Sequence, residues 1–304
     1  MNIALVTCRK LPDWEIDDRP LKTAFAARGA MTLHPTWDDA SFDWTSCDAC
    51  LIRTTWDYVP RRDEFVEWAQ RVDKVTPIFN PPEIVRWNTH KGYLRDLELR
   101  GIPTIPTIWL KAGGEDSHWR ESMAERGWKR GFLKPVIGSA AHDTLRFDLT
   151  PEGTASASQH LQRLASGRPM MLQPYLSRVE SEGEYSVILI DGQVSHAVRK
   201  FPVPGDYRVQ DDHGGKDEPA DLDAAVLTLA RRIVQTAGDW VSRPVDRPLL
   251  YARVDLLRDD EGNFVLTELE LVEPSLFLRH GPATADCLAD ALLKRLEGRK
   301  SSGD

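Results

Sequence analysis

The chain has only four cysteines in 304 residues, Cys8, Cys47, Cys50 and Cys287, too few for a disulfide scaffold. Cys47 and Cys50 lack the second ligand pair that a zinc site needs, and bordering an apolar strand they read as buried thiols. No window approaches the roughly 18 consecutive apolar residues of a membrane span. The opening NIALVTCRK is too short and wrongly flanked for a signal peptide, so a cytoplasmic chain with no membrane partner is expected. A positive excess is missing too. With a formal charge of −8 and a pI near 5.6, the chain has no basic stripe to neutralise a nucleic-acid backbone. No GxGxxG follows a strand and no Gly-Lys-Ser/Thr ends a loop, which excludes the dinucleotide fingerprint and the P-loop. Internal repeats and low-complexity domains are also absent. What remains is an ordinary globular composition, 41% apolar with 8% aromatic, able to build cores in two or three lobes.

Against that background one stretch stands out, 265–278, VLTELELVEPSLFL. Alternate residues of a strand share a face, so Glu268 and Glu270 project together while Leu269 and Leu271 turn to the core. Two adjacent carboxylates repel and call for a cation, and paired oxygen donors suit Mg²⁺. Upstream, 249–257 reads as the partner strand, with Arg253 and Asp255 on one face and the turn DDEG joining the two. An unbroken hairpin with that turn sets Asp255 opposite Leu266 and diagonal to Glu268, so three carboxylates converge. An exposed strand face decorated with charge is the alternative. Glu273, Pro274 and Ser275 follow where the apolar ladder gives way to a loop, the usual place for binding groups.

The front of the chain alternates strands at 2–7, 31–34, 49–54 and 77–79 with helices, which predicts a small parallel α/β unit. Ligands of such sheets bind beyond the carboxyl ends of the strands. There the third strand presents Arg53, Thr54, Trp56, Asp57 and Tyr58, as a substrate site or, for the two aromatics, as packing for a long loop. Thr89 then caps a predicted helix ending at Gly101, with Lys91 in its first turn. The helix dipole disfavours a cation there unless an anion is near, and a surface lysine is the alternative. Lys134 ends an apolar strand, and the loop PVIGSAAHDT at 135–144 has small residues, among them Gly138 and Ser139, that let backbone N–H groups approach phosphates. A hairpin at 184–190 and 193–200 turns on Asp191-Gly192, which favours a type I′ turn and sets Glu184 opposite Arg199 as a cross-strand ion pair. The stretch 201–219, rich in Gly, Asp and Pro, reads as a mobile loop, followed by helices at 221–237 and around Leu288, Leu292 and Leu296.

In chain order these features are a lysine at a helix start, a lysine before a small-residue loop, the segment QPYL, a Glu on a hairpin, and Asp255 before Glu268 and Glu270. Over roughly 89–295 they resemble the ATP-grasp superfamily in its glutathione synthetase-like and RimK-like branch. The resemblance implies an ATP-grasp fold mixing α/β and α+β parts. Its units are a parallel α/β domain over 1–88, a central lid subdomain over 89–172, and an antiparallel-sheet subdomain over 173–304. It also implies Lys91 and Lys134 on ATP phosphates, with Gly138 and Ser139 in the loop that closes over them, although Ala140 and Ala141 stand where many relatives have glycines. Gln173, Tyr175 and Leu176 would hold adenine through backbone groups, Glu184 the ribose, and Arg199 the reacting phosphate. Asp255, Glu268 and Glu270 would bind magnesium, Glu270 replacing a common asparagine, while Arg253 and Ser275 lie where relatives place substrate contacts.

The implied activity is ADP-forming ligation of a carboxylate to an amine through an acyl phosphate, with ATP and Mg²⁺, on a small amino-acid-like substrate. The stretch ELELVEPSLFL further resembles D-cycloserine-forming ligases, in which the ring closes within one molecule. An intermolecular ligase of the glutathione synthetase or RimK type, a kinase-like phosphotransferase and a nucleotide-binding regulatory protein without turnover are the alternatives. Relatives often form dimers or tetramers, though no exposed apolar stripe here declares a homo-oligomer interface.

Overall fold

The computed structural model describes residues 1–11, 15–113, 118–164 and 167–301. Four parallel strands, β1 (Asn2–Thr7), β2 (Met31–Leu33), β3 (Ala49–Thr54) and β4 (Ile78–Phe79), form a first sheet in the order β2-β1-β3-β4. The near-continuous apolar runs of β1 and β3 are what a parallel strand covered on both faces requires. Ile3 and Leu5 enter one core and Ala4 and Val6 the other. The helices α1 (Pro20–Ala27) and α2 (Arg62–Val72) supply those faces, α1 starting on a proline and followed by Gly29 at φ +73°.

Two short helices follow, α3 (Pro82–Asn88) and α4 (Tyr93–Glu98). The expected single helix from Thr89 is thus corrected. Thr89 Oγ1 donates to Val85 O at 2.7 Å and closes α3, and Lys91 lies in the link, its N–H bonded to Val136 O. The second sheet is antiparallel, with strands β5 (Ile108–Leu110), β6 (Arg130–Pro135), β7 (Leu145–Asp148) and β8 (Met170–Pro174) in the order β5-β8-β6-β7. The helices α5 (Trp119–Glu125) and α6 (Pro151–Leu164) cover it through Trp119, Met123, Ala157 and Leu164.

After the short α7 (Arg178–Glu182) comes the third sheet, β9 (Glu184–Ile190), β10 (Gln193–Phe201), β11 (Lys216–Pro219), β12 (Tyr251–Arg258) and β13 (Phe264–Glu270), ordered β11-β10-β9-β12-β13. The long helix α8 (Ala224–Gly238) and α4 pack on one face, against Val187, Leu189, Val254 and Leu256. The last helix, α9 (Thr284–Ser301), fills the gap to the first sheet, where Leu288 and Leu292 meet Ile3, Leu21, Ile188 and Tyr251. Among the described residues no helix is long and apolar enough to cross a membrane.

Three details of this sheet depart from the sequence-based expectation. Residues 216–219, read as loop, pair with β10 as an edge strand; the segment KDEP carries no apolar alternation because an edge favours charge and tolerates proline. Ser195 is an extra residue between Val194↔Leu189 and His196↔Ile188, and this bulge moves every later pair by one. Lys200, not Arg199, therefore faces Glu184, and Arg199 pairs with Tyr185. The turn pairs Arg258 with Phe264, one residue off the expected register, and a second bulge, at Thr267, adds another, so that Asp255 lies directly opposite Glu268, not Leu266, and Arg253 opposite Glu270.

Candidate active site

The strand β13 is an edge; at Leu266 its outer backbone groups bond Pro103 and Ile105, and from Leu269 on they are taken up by side chains from 80–93. Leu269 N donates to Tyr93 Oη at 2.9 Å, Asn88 bonds Leu269 O and Leu271 N at 2.8 Å each, and Asn80 Nδ2 donates to Leu271 O at 2.8 Å. With its edge satisfied the strand is held in place, so the face carrying Glu268 and Glu270 is rigid. The bulge leaves the Thr267 carbonyl 3.5 Å from the ammonium of Lys134.

On that face four cations meet four carboxylates. Lys91 bonds Glu268, and Lys200 bonds Glu184 while standing 3.5 Å from Asp255. Arg253 lies 3.0 Å from Asp255 through Nε and bonds Glu270, and Ser186 Oγ donates to Asp255. Lys134, almost wholly buried, is pushed down to about 8 by its burial, which Glu268 only partly offsets. Burial alone would raise the Asp255 carboxyl, yet Arg253 and Lys200 outweigh it and hold it at about 2. Burial pushes Glu270 up to about 8 in spite of Arg253. Hard oxygen donors on one face fit Mg²⁺ in kind. Among the described residues, however, no three such groups surround a common point, because Lys91, Lys200 and Arg253 hold these carboxylates instead.

The residues expected to meet substrate divide into two groups. Arg53 is completely buried, 2.9 Å from Asp18 Oδ2, with Nη2 donating to Pro274 O at 2.8 Å. Thr54 Oγ1 donates to Thr7 Oγ1, and Asp57 accepts the indole N–H of Trp37. These three brace the first unit and its contact with the loop after β13, while Arg53 Nη1 is buried with no partner among the described residues. Trp56 and Tyr58 do reach that loop. The indole N–H of Trp56 donates to Glu273 O at 3.0 Å with the ring partly exposed, and the Tyr58 hydroxyl lies close to the Glu273 carboxylate. Ser275 is half-buried and its carbonyl accepts Arg253 Nη1 at 3.1 Å. Phe277, at φ +49°, bends the loop back across Arg253.

Arg199 is also displaced. It donates to Glu182 O and lies over the Tyr185 and Phe201 rings, on the face away from Glu184. Lys200, which reasoning from unbroken alternation missed, takes its place.

Between the second and third sheets, Tyr175 and Leu176 join Ile105, Val179, Leu257 and Val265 in an apolar cluster. Gln173 is fixed by Thr107, and Tyr175 Oη donates to Glu180 at 2.6 Å. The loop with Gly138 and Ser139 continues into Ala140 and Ala141 at φ +49° and +54°, the left-handed region that favours glycine. It touches the 202–215 segment through Thr144 and Tyr207 at 2.8 Å and through Ala140 O and His213 at 3.2 Å.

Residues 3–80 match the N-terminal domain family of the D-cycloserine synthetase DcsG, and 121–242 the ATP-grasp domain of prokaryotic glutathione synthetase. The cycloserine biosynthesis protein DcsG of Streptomyces lavendulae is 33% identical over 301 residues, covering 97% of this chain and 99% of that protein. A crystal structure of D-cycloserine synthetase DcsG shares 31% identity at a TM-score of 0.87, over 97% of this chain and 100% of its own. The ATP-grasp ligase PsnB, solved with a phosphomimetic precursor variant, Mg and ADP, has the same fold at 18% identity, with a TM-score of 0.66 over 97% of this chain and 98% of that one. Its fold, and its identity to DcsG along almost its whole length, place the chain in the DcsG family of ATP-grasp ligases.

Proposed function

We propose that this chain is an ATP-dependent carbon–nitrogen ligase that converts the carboxylate of a small amino-acid-like substrate into an acyl phosphate. A nitrogen of the same molecule then attacks and closes a ring of the D-cycloserine kind. The observation that carries this reading is the set of three cations, Lys91, Lys200 and Arg253, paired with four carboxylates, with the buried Lys134 beside them and an apolar interlobe cluster next to them. Such a face is balanced without ligand and can exchange partners when a triphosphate enters.

In this reading adenine lies at Tyr175 and Leu176, and Glu184 takes the ribose. Lys91 and Lys134 move to phosphate oxygens, so that Glu268 is released. Asp255, Glu268 and Glu270 would then hold Mg²⁺, which when bound spreads the triphosphate charge. A substrate carboxylate oxygen takes the γ-phosphoryl group as the bond to ADP breaks. The nitrogen then bonds the acyl carbon as the carbon–oxygen bond to phosphate breaks, releasing phosphate and a proton. The chain's own contribution is charge stabilisation by Lys91, Lys134, Lys200 and Arg253, together with exclusion of water by the loop at 135–144. No side-chain nucleophile is needed.

An intermolecular ligase is the second reading, favoured by the match of 121–242 to glutathione synthetase. Counting the organic substrates needed for ADP release separates the two: one for ring closure, two for intermolecular joining.

A further inference from the structure

Four of the site's carboxylates each have a cation within bonding distance, and Glu273 has none among the described residues. It is half-buried at the start of the loop after β13, within electrostatic reach of Lys91 and Glu268, and so close to where the phosphates are placed. The Tyr58 hydroxyl lies close to its carboxylate, and Tyr58 is buried and stacked on Phe65 at 4.7 Å. Burial, with Glu273, Glu270 and Glu268 nearby, keeps that phenol protonated and therefore a donor.

The backbone around Glu273 is pinned at three successive carbonyls. Tyr251 Oη donates to Val272 O at 2.8 Å, Trp56 Nε1 to Glu273 O at 3.0 Å and Arg53 Nη2 to Pro274 O at 2.8 Å. A carboxylate on backbone pinned this firmly, desolvated enough to be pushed up to about 7, and with no cation bonded to it among the described residues gains from an incoming cation what it lacks from the protein. The partly exposed indole of Trp56 stands beside it, and an aromatic face also favours a cation.

Resting on the ring-closing reading, the chemistry names the cation. When a serine-type substrate closes a ring from its carboxyl carbon to a nitrogen on its side-chain oxygen, the α-amino group stays outside the ring and keeps its charge. We infer that Glu273, braced by Tyr58, receives the α-ammonium of the substrate and so selects amino-bearing carboxylates. It thereby also fixes which of two nitrogens is free to attack.

The test compares O-amino-D-serine with its desamino counterpart, 3-(aminooxy)propanoate, in ADP release by the full chain and by Glu273→Gln. The expected result is a KM for O-amino-D-serine raised roughly 30-fold in the variant, as for a lost charged hydrogen bond. The kcat and the KM for ATP should stay nearly unchanged, and the desamino compound should have the same high KM in both proteins. Tyr58→Phe should shift the same KM in the same direction by a smaller factor, with an unaltered melting temperature. A Glu273→Gln variant that lowers kcat and leaves KM alone, or that weakens both compounds equally, overturns the inference. A wild type silent on both compounds overturns the ring-closing reading itself, and the inference falls with it.

Discussion

Lys200 stands across the β9–β10 ladder from Glu184, bonds its carboxylate, and lies 3.5 Å from Asp255, so that one buried ammonium ties the ribose candidate to the metal candidate. Removing one partner from such a buried set leaves an uncompensated charge and costs about 3–5 kcal/mol. Lys200→Met should lower the melting temperature clearly and reduce ADP release by about 100-fold, the scale of one lost electrostatic donor. Arg199→Ala, which removes only a contact to Glu182 O and two ring faces, should retain most of the activity. The reverse ranking in paired melts and turnover assays would return the role to Arg199.

Ala140 and Ala141 occupy left-handed backbone at φ +49° and +54°, where an L side chain costs about 1 kcal/mol or more. Ala141→Gly should therefore be tolerated and bind ATP at least as tightly. Ala141→Val, β-branched in the same conformation, should weaken ATP binding measurably by calorimetry. Equal affinities for the two variants would mean that this backbone shape is not kept in the ATP complex.

Lys134 carries its charge only below about 8, because burial lowers it from the usual lysine range. Its attraction for phosphates is present at neutral pH and lost as the pH rises through that value. ATP affinity of the metal-free chain should fall by roughly tenfold between pH 7 and pH 9, the size expected for losing about one unit of such interaction. Lys134→Arg should flatten the profile, since arginine does not titrate in that window. A wild-type profile as flat as the variant's would remove Lys134 from the phosphate site.

Glu268 is bonded to Lys91 and faces Asp255 across the hairpin. Glu268→Gln keeps the side-chain shape and removes the charge, so the fold should persist by circular dichroism while Mg²⁺-dependent ADP release disappears. Near-normal turnover would exclude Glu268 from the metal set.

Faces were legible in the sequence where alternation was enough to define them: Glu268 with Glu270, Arg253 with Asp255, and the apolar partners behind them. Register was not legible, because the bulges at Ser195 and Thr267, and the turn that pairs Arg258 with Phe264, are backbone events in stretches whose residues do not demand them. That is why Lys200 was passed over for its neighbour. Arg53, Thr54 and Asp57 sit at a strand end where sheets of this kind bind ligands, but their partners Asp18, Thr7 and Trp37 come from other segments that the local sequence does not show. Glu273 did carry a signal, a lone acid directly after the carboxylate strand. Its nearness to the Tyr58 hydroxyl, and the lack of a cation bonded to it among the described residues, show only in the structure.

The central claim is ring closure within one activated molecule. It is met most directly by incubating the full chain with Mg²⁺-ATP and an O-substituted D-serine as the sole organic substrate, following ADP and analysing the product by mass spectrometry. The account predicts one ADP per cyclised product with no second amine added. ADP release that appears only when a separate amine is supplied, with a linear amide as product, would contradict it.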